Sequence, residues 1–358
     1  MKLSTKISSG FGSLIAIALV LGGLAVFSMS GVKTVANILA KQNVPEVGVA
    51  NNVERMSLLT MYATRGYAFT EEKQYLDGAR EYLVAVKKYL QEAKDHAAKF
   101  DMAVLKQNAD KAGAKALEYE KLLNDTVAKT DAMAKDKANS LVAAEKYMKI
   151  ADEYVASQNT KLAEQIGLLA AVGDNPTNAA LAAAAVHDRV WKIATANSVV
   201  DIGNWIRTGT WQAIATRDPA LFQETMKRFE VVNAKLDELK AKTKQESNLK
   251  EIEECRAAGK EYLGCMESFL ANWTAREELN KERGIAAQAV LDAAKETSLS
   301  GMDDTSKASE KAASSLATAS TTMIAGLCVA LVVGVLLAIF ITRSIVGPIN
   351  RVITGLSS

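Results

Sequence analysis

Residues 321–342 read TTMIAGLCVALVVGVLLAIFIT, an uncharged run of 22 residues. A helix needs about 20 apolar residues to cross the hydrocarbon core of a bilayer, so this run is predicted to span a membrane. Residues 11–32, FGSLIAIALVLGGLAVFSMSGV, form a second run of the same kind. Lys2 and Lys6 before it and the small residues after it also fit a signal peptide. Its apolar part is longer than the roughly 7–15 residues of such a segment, and the second span favours an uncleaved anchor. Lys2 and Lys6 precede the first span, Arg343 and Arg351 follow the second, and neither flank carries an acid. The positive-inside rule then puts residues 1–10 and 343–358 in the cytoplasm and residues 33–320 outside.

The composition narrows what the outer segment is. The 358 residues hold 43 Lys+Arg against 41 Asp+Glu, a net charge of +2, and the segment between the spans is close to neutral. That balance gives no field for nucleic acid. Two His and three Cys without a CxxC pair give no metal or haem signal. Apolar residues make up 49% but aromatics only 6%, with 4 prolines, which points to long Ala- and Leu-built helices rather than strands.

Within 33–320 the strongest turn is Gly173-Asp174-Asn175-Pro176-Thr177-Asn178. It divides the segment into two comparable halves. Shifting one on the other by 146 positions pairs Asn51 with Asn197, Val53 with Val199, Thr64 with Thr210, Leu83 with Phe229, Val86 with Val232, Leu90 with Leu236 and Gly113 with Gly259. The turns coincide as well: Thr70-Glu71-Glu72 falls on Thr216-Arg217-Asp218, where Asp218 followed by Pro219 is an N-cap pattern, and Asp101 falls on Ser247. An internal duplication is the reading. Each half supplies three helices of about 57, 42 and 105 Å at 1.5 Å per residue.

Laid side by side, these lengths predict an all-α chain of two stacked four-helix bundles sharing two long helices, flanked by two transmembrane helices. The proximal bundle takes 33–70, 72–100 and the lower parts of 102–172 and 248–320. The distal bundle takes the upper parts of those two long helices with 178–216 and 219–246.

The opening residues MKLSTKISSGF resemble the cytoplasmic entry of methyl-accepting chemotaxis proteins. The closing run Thr342-Arg343-Ser344-Ile345-Val346-Gly347-Pro348-Ile349, onward to Leu356, resembles the first helix of a HAMP linker. The layout between them is similar to the helical bimodular sensor domain of that family and of some sensor histidine kinases. The resemblance covers the whole chain in architecture, but its specific motif is only the short HAMP opening. It implies a homodimeric receptor, or a higher array, in a bacterial inner membrane, with a periplasmic domain that binds small organic acids. Pro348 would stand in the path of signal transmission. Residues 343–358 are shorter than a HAMP unit, so an output module is expected beyond Ser358. The same sensor on a histidine kinase or a cyclase, and a non-sensing helical spacer or adhesin, are the alternatives.

A carboxylate ligand between helices needs cations of fixed geometry, which favours Arg over Lys. In the first half Arg55, Leu59, Tyr62 and Gly66 share one stripe with Arg65 at its edge; the two arginines would otherwise be solvated or paired with Glu54 or Glu71. In the second half His187, Arg189, Trp191, Asn204, Trp205, Arg207, Thr210, Trp211 and Arg217 gather in about 30 residues. Arg189, Asn204, Trp205, Arg207 and Trp211 are the ligand candidates, with Arg207 and Trp211 the leading pair. The tryptophans would otherwise fill the core or a dimer seam, and His187 reads as a surface residue. Cys255 and Cys265, about 15 Å apart along one helix, cannot bridge each other. No nucleophile elbow, phosphate loop or acid–base pair stands in a supporting context, so no catalysis and no cofactor are expected.

Overall fold

A computed structural model describes residues 3–173 and 176–356, with side chains described at all of these except 3, 6, 348, 349 and 351–356. Among the described residues the chain is all-α. The helices are α1 (Leu3–Ile38), α2 (Val44–Thr70), α3 (Lys73–Phe100), α4 (Ala103–Ala170), α5 (Pro176–Thr216), α6 (Pro219–Ala241) and α7 (Glu246–Leu356). A five-residue π-helical turn, Leu39–Asn43, joins α1 to α2 without breaking the rod, and Val44 N donates to Leu39 O across it. The apolar periodicity gave no sign of this turn. The run from Leu3 and the run to Leu356 each contain a segment long and apolar enough to cross a membrane.

The turns between helices are built by residues with left-handed or extended backbones. Glu71 (φ 61°), Asp101 (φ 55°) and Arg217 (φ 56°) occupy the left-handed region, as does Gly173 at the end of the α4 turn. After α3, Met102 N reaches back to Ala97 O, and after α5, Asp218 N reaches back to Ala213 O, each at 3.0 Å or less. These are the backward bonds of helix C-caps with a left-handed residue before them. Asp218 then caps α6, its Oδ1 accepting from Ala220 N and Leu221 N at 3.0 Å each. Glu71 and Arg217 are 146 positions apart and share the left-handed conformation. Asp101 and Ser247 do not correspond: Asp101 ends α3, whereas Ser247 lies inside α7. Asp174 and Asn175 of the long turn lie outside the described residues.

The chain divides into two compact units, residues 1–117 with 286–358 and residues 118–285. In the first unit, a buried cluster draws Val53 from α2, Val86 and Leu90 from α3, Ala112 and Ala116 from α4, and Val290, Ala293 and Ala294 from α7. Asn108 on α4 donates to Thr297 on α7 at 3.2 Å inside it. Between the apolar segments, α1 and α7 touch at glycines: a Cβ on Gly326 would overlap Leu21, and one on Gly10 would lie 2.9 Å from Ile341 Cδ1.

In the second unit, the core is aromatic. Tyr147 and Tyr154 come from α4, Phe222 and Phe229 from α6, and Tyr262, Phe269 and Trp273 from α7, with Val199, Ile202 and Ile206 from α5. Phe222 stacks on Phe269 at 5.2 Å, and Phe229 meets Tyr262 edge-on at 5.4 Å. At the 146-residue offset the buried positions of the two units correspond: Leu76 with Phe222, Leu83 with Phe229, Ala93 with Leu239, and Ala116 with Tyr262. At these four positions the second unit carries the larger side chain, while Val86 with Val232 and Leu90 with Leu236 keep the same one.

Candidate functional site

The second unit contains a polar layer across its otherwise apolar core. Tyr154, Gln158, Lys161 and Gln165 fall on α4 at steps of four, three and four, so they share one helix face. Gln158 is fully buried and Tyr154 nearly so. From α5, half-buried Arg189 donates through its guanidinium to Gln158 Oε1 and, through Nε, to Gln165 Oε1 at 3.2 Å. Gln158 Nε2 donates to Ser157 Oγ at 3.2 Å, and Ser157 Oγ to Glu251 Oε2 on α7 at 3.2 Å. Lys161 Nζ donates to buried Asn248 Oδ1 on α7 at 2.5 Å. Side chains thus connect α5 through α4 to α7.

The electrostatics of this layer are unbalanced. Arg189 is held by two neutral amide oxygens, and no carboxylate stands within salt-bridge distance of it among the described residues. A guanidinium has five N–H donors, so capacity for an acceptor remains. Asp188, the adjacent acid, is taken by Lys192, whose ammonium is buried beside it at 2.8 Å. Tyr154 Oη has no hydrogen-bond partner. Burial pushes its phenol up to about 12, with Thr243, Glu251, Arg189 and Asp188 as polar neighbours. The arrangement, a half-buried cation next to a phenol that stays protonated, suits one small anion with a hydrogen-bond acceptor to offer.

A buried guanidinium lies elsewhere in the same unit. Arg283 on α7 donates to Thr126 Oγ1 at 2.8 Å and Asn280 Oδ1 at 2.9 Å and sits 5.9 Å from the Tyr119 ring centroid. Burial lowers its pKa from the ordinary arginine value. Its neutral partners fill the space around it, which reads as structural packing.

Of the residues singled out from the sequence, Arg189 alone belongs to the polar layer. Asn204 is half-buried on α5. Trp205 is 60% exposed with Arg228 stacked at 5.7 Å, and Trp211 is exposed with Lys137 at 5.0 Å. Arg207 and Trp211 both face solvent, as do His187 and Arg217. Trp191 packs on the core, with Lys242 Nζ 3.8 Å from its ring centroid. In the first unit Arg55, Tyr62 and Arg65 are exposed on α2, Tyr62 by 71%, while Leu59 and Gly66 turn inward. A Cβ on Gly66 would lie 2.5 Å from Tyr75 Cδ1. Pro348 continues the helical run of α7, but its side chain lies outside the described residues. Cys255 is buried, Cys265 half-buried, and both are free thiols.

The sequence reading missed Tyr154, Ser157, Gln158 and Glu251. The signal for the first and third was present in the four-three-four spacing of polar residues on α4, where a core stripe is expected to be apolar.

No protein-family model matches the chain, and comparison with curated proteins finds no match.

Proposed function

We propose that the chain is the input region of a transmembrane receptor of the chemoreceptor type, binding a small organic acid outside the membrane and passing a helix displacement inward. The observation that carries this reading is α7: one helix of 111 residues contributes Glu251 to the polar layer, Val290 to the first unit's core and the second apolar segment. A carboxylate drawn to Arg189 competes with Gln158 and Gln165 for its donors. That disturbs the chain of hydrogen bonds through Ser157 to Glu251, and so the seating of α7. Helix shifts of about 1–2 Å are sufficient output for such a device. In this reading residues 33–320 form two four-helix bundles in the bacterial periplasm, and both termini are cytoplasmic, as the basic flanks require.

The reading also includes pairing with a second copy. On α2 the residues Val44, Gly48, Asn51, Arg55, Leu58, Tyr62, Arg65 and Phe69 recur at alternating steps of four and three, and all are exposed. Such a seam is what a helix presents to a parallel partner. Arg55, Tyr62 and Arg65 then stand where two copies meet, and an anion between copies would neutralise the facing arginines.

The test is thermal unfolding of the full chain in detergent against a panel of mono-, di- and tricarboxylates, with Arg189→Ala and Arg55→Ala in parallel. A receptor gains several degrees with at least one acid, and one of the two variants loses that gain. If no acid raises the Tm of the wild-type chain, the organic-acid reading is wrong.

A further inference from the structure

The first unit holds an acidic side chain that neither the core nor the receptor reading uses. Glu46 lies in the first turn of α2, three residues past the π turn, and only 2% of its surface is exposed. Its Oε2 has no hydrogen-bond partner. Across from it, α7 offers Gly301, where a Cβ would lie 3.1 Å from Glu46 Oε2 and 2.8 Å from Val47 Cγ2. Gly301 is thus a notch into which the carboxyl end of Glu46 and its neighbour fit.

The charged surroundings favour the uncharged acid. On α7, Asp304 is the charged residue that acts on Glu46, and it repels a carboxylate. The other charged groups of that stretch, Asp303 and Lys307, pair with each other at 2.5 Å on the exposed face. On α3, His96 Nε2 lies 2.9 Å from Gln42 O in the π turn, a contact in which the ring nitrogen must donate. Also on α3, Lys99 stacks over Phe100 at 5.2 Å, and Lys94 pairs with Asp110 of α4 at 2.8 Å. Lys41, within the π turn, is exposed. Burial first, and Asp304 second, push the Glu46 carboxyl up to about 7.

We propose that Glu46 is a proton-operated latch that sets how α2 and its π turn seat on α7 next to the first membrane-spanning segment. With the proton on, the neutral acid stays in the Gly301 notch. When the proton leaves to solvent, a carboxylate facing a glycine notch and Asp304 has no partner there, and it must reach water. Moving it out lifts the first turn of α2 from α7, and the π turn supplies the slack, since such turns are one-residue insertions that can shift along a helix. His96 braces the other side of the turn in either state, because it donates whether charged or neutral. The latch is independent of Arg189 and of any organic acid.

The experiment is amide hydrogen exchange on the full chain in lipid nanodiscs, corrected for the intrinsic pH dependence of exchange, following residues 38–50 from pH 5.5 to 8.5. The wild-type chain loses protection in this segment by about tenfold as pH rises, with a midpoint near the titration of Glu46. Glu46→Gln, which keeps the neutral shape, holds its protection throughout. Asp304→Asn, an exposed change that leaves packing intact, moves the midpoint down in pH. A pH response in Glu46→Gln equal to that of the wild type overturns the proposal. So does a midpoint that Asp304→Asn leaves in place, which keeps the test decisive should the Glu46 variant fail to fold.

Discussion

Half-buried Arg189 and buried Glu46 have opposite consequences. Removing the first by Arg189→Ala leaves Gln158 Oε1 fully buried without its donor. The expected loss is about 1–3 kcal/mol of stability, read as a lower denaturation midpoint. The second makes stability depend on pH. The Glu46 carboxyl is raised from 4.5 to about 7 on folding, so between these values the folded chain binds the extra proton. Its contribution is complete below about pH 4.5, falls as pH rises, and levels off above about pH 7, a total of about 3 kcal/mol at most. The Tm of the wild-type chain should therefore drop between pH 5 and 8 more than that of Glu46→Gln; equal slopes would refute the assignment. In the sequence Arg189 is a ligand candidate from its place among the Trp and Arg residues of α5, whereas Glu46 is not singled out. A lone Glu in a helical run resembles any solvated charge, and only its burial against facing helices distinguishes it. The tryptophan cluster reads as a pocket because indole rings are chemically suited to one; Trp205 and Trp211 lie on the outer face of α5 under Arg228 and Lys137.

Helix boundaries were the most legible property of the chain. Prolines, caps and apolar steps located α3, α4 and α5, the end of α2 and the start of α6 to within a few residues, because Asp218-Pro219 and the polar breaks near residues 71 and 101 have local causes. The π turn was not legible: Asn43 and Glu46 beside it are buried against other helices, and no local propensity encodes that. Close helix approach is likewise a property of pairs. On α5, a Cβ at Gly203 would lie 2.6 Å from Cε1 of Tyr147 and 2.8 Å from Sδ of Met148. Tyr147 is fully buried and its hydroxyl donates to Val199 O at 3.2 Å, so it cannot yield. Gly203→Ala should cost about 1–3 kcal/mol despite the better helix propensity of alanine, measurable by chemical denaturation. At the α6 entrance, Asp218→Ala should cost about 1 kcal/mol through two lost cap bonds.

For the molecule as a whole, the two apolar segments and the outward seam of α2 concern partners rather than internal packing. The four-three spacing from Val44 to Phe69 predicts that Leu58→Glu with Tyr62→Glu abolishes self-association of the detergent-solubilised chain while leaving its helicity intact. Light scattering with circular dichroism checks both. An unchanged mass would remove α2 as the pairing face. The π turn has one further consequence, for insertions and deletions. An α-helix advances about 100° per residue, and the π turn accommodates one residue more than an α-helix would between the same two ends. Excising a single residue from Leu39–Asn43 should therefore turn the π turn into plain α-helix while leaving α1 and α2 facing the way they do now. The same deletion at any other place in α1 or α2 has no such turn to absorb it and would swing the apolar segment by about 100° away from the face it presents to α7.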